Sequence, residues 1–197
     1  MGQVRIGTQR VSLQARVAVV IATAMLASIF SFALSAASPA PTMALEARWE
    51  SVETYYLKLI NCTRTGGWVK KDGHCDGYGS GRYSRYVAPL KASAGIANVA
   101  RKWARHLVDE NACGHGDPGV RLRRAGYHPS WWGENVGCNN YASVYDAVLA
   151  SHRAMQHEKS TGGGHWQNIK NAHFKYAGVG VWRDHGRTRV VTDFYRP

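Results

Sequence analysis

Eighteen consecutive residues, Val17 to Leu34, carry no charge, and they divide the chain into a segment unsuited to a water-facing surface and a remainder that must build its own core. Arg5, Arg10 and Arg16 precede the run with no acid among them, and Ser35-Ala36-Ala37-Ser38 and the helix-hostile Pro39-Ala40-Pro41 follow it. A basic stretch, an apolar stretch and a small-residue exit in that order describe a secretory signal peptide. We read residues 1–37 as that signal, 38–48 as a short linker and 49–197 as one folded domain. The competing reading is an uncleaved anchor, because about 17 to 20 apolar residues can cross a bilayer. Either way the folded part is expected outside the cytosol, secreted and extracellular in the first case and membrane-anchored in the second.

Beyond residue 37 stand four cysteines, Cys62, Cys75, Cys113 and Cys138. An even count in an exported chain reads as two disulfides, with three connectivities open. Short local loops favour Cys62–Cys75 and Cys113–Cys138, and no CxxC pair supports a cysteine zinc site. The same part holds 22 of the 25 Lys and Arg and all 13 acids, a net of +9. That balance suits contact with anionic surfaces such as lipid headgroups or wall polymers. Nucleic acid is disfavoured, because the basic residues are scattered and do not interleave with aromatics along one element.

Trp49, Val52, Tyr56, Leu59 and Ile60 recur at spacings of three and four, predicting a helix over 45–63. Residues 65–92, rich in glycine and tyrosine, read as a long loop pinned by Cys62–Cys75. Further helices are expected over 94–110, 120–125 and 142–158. The strongest strand signal is the last: residues 176–183 and 188–195, rich in Val, Tyr, Phe and Trp, flank the turn Asp184-His185-Gly186-Arg187. Helices followed by a terminal hairpin, without a βαβ rhythm, argue for an α+β fold with a small antiparallel sheet covered by helices.

Three polar residues stand among glycines: His115 between Gly114 and Gly116, Glu134 after Gly133, and His165 after Gly162-Gly163-Gly164. Two histidines and a carboxylate suit a divalent metal such as Zn, or general acid–base work on a bound water. If Cys113 bonds Cys138, their Cα atoms lie about 6 Å apart, which draws the His115 and Glu134 loops together. Familiar catalytic patterns are missing. Gly77-Tyr78-Gly79-Ser80-Gly81 is neither a phosphate loop nor a nucleophile elbow, and His157-Glu158 lacks the second histidine of a zinc-protease helix, with Thr161 in its place.

Gly133-Glu134-Asn135-Val136, Gly164-His165-Trp166-Gln167-Asn168-Ile169 and Val179-Gly180-Val181-Trp182 together resemble the signature blocks of the CAP superfamily. That superfamily unites cysteine-rich secretory, antigen 5 and pathogenesis-related 1 proteins with bacterial SCP-domain relatives. The resemblance spans residues 49–197 and implies an α-β-α sandwich with a small central antiparallel sheet. It also implies a cavity lined by two His and two acids that can hold a divalent metal. By position His115, Glu134 and His165 supply three of the four, with His115 and His165 as metal ligands. For the fourth the chain offers Ser151 or His152 on the third helix, or Glu158 from the helix end.

The function expected from these features is a secreted binding module whose cavity takes a divalent metal, a lipid or a cell-wall component. No serine or free cysteine sits in a recognised nucleophile setting. The alternative is a metal-assisted extracellular hydrolase, with Glu134 as ligand or base.

Overall fold

The computed structural model describes residues 48–197, so the apolar run, the cleavage position after Ala37 and residues 38–47 of the expected linker lie outside the described residues. Helix α1 (Glu50–Arg64) opens with Glu50 and Glu53 in its first turn, where carboxylates favour the positive end of the helix dipole. Its buried stripe is Val52, Tyr56, Leu59 and Ile60, the period-3.6 set. The loop after it is more ordered than expected. A two-rung hairpin of β1 (Trp68–Val69) and β2 (Cys75–Asp76) forms within it, closed by the Cys62–Cys75 disulfide, Cα atoms 5.9 Å apart.

Strand β3 (Lys91–Ala92) leads to α2 (Ala94–Asp109), which the Ser93 side chain caps by accepting from the Ile96 N–H. Asp117 caps α3 (Pro118–Arg124), with Pro118 at its first position, where a missing N–H costs nothing. Strand β4 (Trp131–Asn139), helix α4 (Val144–His157), a 3-10 turn (Glu158–Ser160) and helix α5 (Gly164–Lys170) follow. The chain finishes in the expected hairpin of β5 (Tyr176–Asp184) and β6 (Arg187–Arg196). Its two-residue turn, His185-Gly186, has φ of 48° and 73°. Both values are positive, the backbone that fits the twist of a tight hairpin.

The sheet order is β3-β5-β6-β4. The three long strands pair antiparallel, as expected, and two-residue β3 adds a short parallel edge to β5. Helix α2 lies against one face so closely that a Cβ on Gly180 would sit 2.0 Å from the Arg101 nitrogen. On the opposite face Gly137 meets Ser151 of α4, and Gly133 meets Asn168 of α5. Helices on both faces of one small sheet make an α-β-α sandwich within the α+β class. At the edge of β5, Glu53 accepts from the Val181 N–H (3.0 Å) and from Arg101 Nε (2.8 Å), joining both helical layers to the sheet. Buried Arg64 donates to the carbonyls of Ala88, Ile169, Asn171 and Phe174, tying α1 to the connection that carries α5.

Candidate functional site

The loop between α2 and α3 is fixed before any functional group is considered. Cys113 is bonded to Cys138 on β4, Cα atoms 6.1 Å apart. Trp103 Nε1 donates to the Gly114 carbonyl at 3.1 Å and Arg121 Nη1 to the His115 carbonyl at 2.6 Å. Gly116 takes a positive φ against the Trp103 ring, where a Cβ would approach within 2.9 Å. His115 therefore leaves a pinned backbone, and its Nδ1 meets Glu134 Oε1 at 2.9 Å.

Glu134 projects from β4 with its side chain 1% exposed. Arg121 Nη2 donates to its other oxygen. Directly across the ladder stands Asp193 of β6, fully buried beside the Glu134 carboxyl. Burial pushes the Glu134 carboxyl up to about 7, although Arg121 and a bond to Asp193 pull the other way. Burial, and then the Glu134 charge, drive Asp193 well above the usual carboxylate range. Arg121, Glu134 and Asp193 form one buried charge cluster behind His115.

The second half of the site comes from the α4–α5 connection. Glu158 Oε1 meets His165 Nδ1 at 2.5 Å, and its Oε2 accepts from the His165 backbone N–H at 3.0 Å. A Cβ on Gly163 would lie 2.4 Å from Glu158 Oε2, so glycine is what lets the carboxylate fold over the start of α5. Burial works to raise the Glu158 carboxyl, but its bonds to the His165 ring and to the Trp166 and His165 N–H groups hold it below its usual range. The two halves are stitched by asparagines. Asn168 donates to the Glu134 carbonyl (3.0 Å) and to Asn135 Oδ1 (2.9 Å), and Asn135 donates to the His165 carbonyl (3.1 Å).

His115, Glu134, Glu158 and His165 thus line one cavity of about 440 Å³, with Asn168, Thr161, Gly163 and Gly164. The imidazole centroids stand 6.3 Å apart. Each Nδ1 faces a carboxyl oxygen, which in its ionised form only accepts, so with both acids ionised each Nδ1 carries a hydrogen, and in the neutral imidazole Nε2 keeps its lone pair. A carboxylate behind the remote nitrogen is the arrangement that orients metal-ligating histidines. Among the described residues no three His, Cys, Asp or Glu side chains form a group that could hold a metal ion, so a cation in this cavity would have the two imidazoles as its protein ligands. Imidazole nitrogen is a ligand type that zinc accepts, and two such ligands are one fewer than the three protein groups of the usual catalytic zinc site.

Of the residues expected in the cavity, four lie there and Ser151 does not. Its hydroxyl donates to the Ala147 carbonyl (3.0 Å) and accepts from Asn139 (2.8 Å), filling the space above Gly137 on the sheet side of α4. His152 is buried beside Thr63, at 2.8 Å. The fourth position is taken by Glu158. Sequence reasoning missed Arg121 and Asp193. The available signal for Asp193 was a lone acid inside the apolar run Val190-Val191-Thr192-Asp193-Phe194.

The sequence matches the cysteine-rich secretory protein (CAP) family over residues 60–194. No curated protein sequence matches the chain. Among solved structures, that of NaASP2 with Zn2+ superposes with a TM-score of 0.52 at 16% identity, covering 74% of this chain and 79% of that one. The CAP domain of enterococcal PrgA gives a TM-score of 0.50 at 15% identity over 76% of this chain and 62% of its own. An extracellular SCP-domain protein of Bacillus anthracis gives 0.47 at 23% identity over 56% of this chain, which spans only 35% of that protein. These likenesses concern the fold. The match over more than half of the sequence, on a sandwich that gathers the His and Glu residues of both motifs, shows that this chain belongs to the CAP family of cysteine-rich secretory proteins.

Proposed function

We propose that the chain is an exported CAP-domain binding protein whose cavity takes a divalent cation such as zinc through Nε2 of His115 and Nε2 of His165. The observation that carries this reading is the pair of matched His–carboxylate couples across one cavity, His115–Glu134 and His165–Glu158. When bound, the cation supplies a Lewis-acidic centre for an oxygen of a lipid or cell-wall component. The chain's own groups do the orienting. Glu134 and Glu158 fix the two rings, and Arg121 and the asparagine bridge fix the carboxylates and backbone behind them.

Export is supported by the basic-then-apolar N-terminus and by two disulfides, which persist in oxidising compartments. Binding is favoured over metal-assisted hydrolysis because both oxygens of each carboxylate are already engaged, and a general base needs a free oxygen within reach of the attacking water.

Metal analysis of the purified domain after zinc loading and dialysis tests the reading, beside His115→Ala and His165→Ala. One zinc per chain, lost in both variants, is the expected result. No retained zinc, or zinc retained by both variants, would overturn it. Turnover of peptide, ester or glycan substrates by the zinc-loaded domain alone would replace the binding role with the hydrolase.

A further inference from the structure

Between α2 and α3 runs a groove of about 550 Å³ that is separate from the cavity, walled by Lys102, Trp103, Arg121 and Arg124 together with Asn98 and Val99. Lys102 and Arg124 are exposed, and no carboxylate among the described residues forms an ion pair with either. Arg121 sits over the Trp103 ring, 4.3 Å from its centroid, with its two terminal nitrogens committed to Glu134 and to the His115 carbonyl. Its third nitrogen, Nε, is buried and has no acceptor. Asn98 Oδ1 is buried and has no donor.

Three cationic side chains around one groove, one of them with an orphaned N–H, match the oxygens of a phosphate, which accepts several charge-assisted hydrogen bonds at once. A buried amide oxygen in the same wall calls for a hydrogen-bond donor, which a polyol hydroxyl supplies, since leaving it unpaired is costly. The flank of Trp103 and the Val99 side chain offer apolar contact to carbon. We propose that this groove binds a phosphate carried on a small polyol. Lys102 and Arg124 meet the phosphate as they stand, and Arg121 Nε and Asn98 Oδ1, covered in this structure, reach the phosphate and a polyol hydroxyl by a turn of their side chains toward the groove. Arg121 is common to both sites, so the groove lies one side chain away from the His115–Glu134 couple without sharing its ligand.

The test is calorimetric titration of the domain with sn-glycerol 3-phosphate and with inorganic phosphate. Co-sedimentation with phosphatidylcholine vesicles, with and without phosphatidylglycerol, runs beside it. Lys102→Gln/Arg124→Gln is compared with the charge-matched Lys58→Gln/Lys71→Gln, whose lysines are exposed on other elements. Binding should weaken about fivefold for each groove cation removed and stay within about twofold in the remote variant. Glycerol phosphate should bind several-fold more tightly than inorganic phosphate, and equal affinities would overturn the polyol assignment. Pelleting with phosphatidylglycerol vesicles that depends on Lys102 and Arg124 identifies a lipid headgroup as the source. Binding of free glycerol phosphate without such pelleting identifies a soluble ligand. Binding in neither format, or equal weakening in the two double variants, overturns the proposal.

Discussion

The Cys113–Cys138 disulfide is both a staple for the fold and the tether that brings His115 to Glu134, and the two roles separate experimentally. Its cysteines lie 25 residues apart. In the chain-entropy description, opening such a loop releases about 3.5 kcal/mol of denatured-state entropy at 25 °C, against about 2.9 kcal/mol for the 13-residue separation of Cys62–Cys75. Cys113→Ser/Cys138→Ser should therefore lower the unfolding free energy by about 3 kcal/mol in urea titrations. For a domain of this size that corresponds to roughly 6–12 °C in Tm. Cys62→Ser/Cys75→Ser should cost nearly as much. Zinc affinity, measured by competition with a chromogenic chelator, should separate them. Loss of the tether leaves the His115 backbone held through Trp103 and Arg121 and its ring through Glu134, and a loosened supporting shell costs about tenfold or more in metal affinity. The Cys62–Cys75 variant, whose bond lies outside the cavity, should keep its affinity within about twofold. A stability loss below about 1 kcal/mol, or equal weakening of zinc binding in both variants, would refute the reasoning.

The raised carboxyls give the fold a pH signature. Glu134 at about 7 and the elevated Asp193 hold protons that an unfolded chain releases near pH 4, so stability falls as pH rises between those values, by about 3 kcal/mol for the Glu134 shift alone. Asp193→Asn, which keeps the shape and removes the charge, should flatten the urea midpoint between pH 5 and 8; an unchanged slope would contradict it. Gly180→Ala places a Cβ 2.3 Å from the Ala100 carbonyl carbon, rigid helix backbone, and should cost about 3 kcal/mol or more. Gly114→Ala, with nothing within 4 Å of the added methyl, should stay within about 0.5 kcal/mol in the same thermal scan.

The long helices and the β5–β6 hairpin were legible because burial on one face imposes a period of 3.6 or 2, and each formed within a few residues of its expected bounds. Strand β4 was not legible. Gly133 and Gly137 replace two of its helix-facing side chains, because α5 and α4 approach too closely for a Cβ, and the alternation a strand would show is erased. Helix α5 is too short at seven residues to display a periodic stripe. Within the site, His115, Glu134 and His165 stood out through their glycine settings, and both disulfides followed from the shortness of the loops they close. Ser151 was expected in the cavity, but the rotation of α4 turns it onto Gly137, while Glu158 reaches the cavity from beyond the helix end. The pairing of Asn135 with Asn168 gives a structural reason for both asparagines in the motifs, since they join β4 to α5 across the site. Asp193 stood in the sequence only as a lone acid in an apolar run, and its place beside Glu134 needed the β4–β6 register, while Arg121 was one of several scattered basic residues.

The central claim is that both imidazoles are held by carboxylates at Nδ1 so that Nε2 is the ligating nitrogen. A long-range 1H–15N spectrum of the histidine-labelled domain, assigned with His115→Ala and His165→Ala and recorded with and without one equivalent of zinc, tests it directly. The account predicts the Nδ1–H tautomer at both residues before zinc and a zinc-induced shift confined to their Nε2 resonances. Nε2–H tautomers, or spectra of His115 and His165 that zinc leaves unchanged, would contradict it.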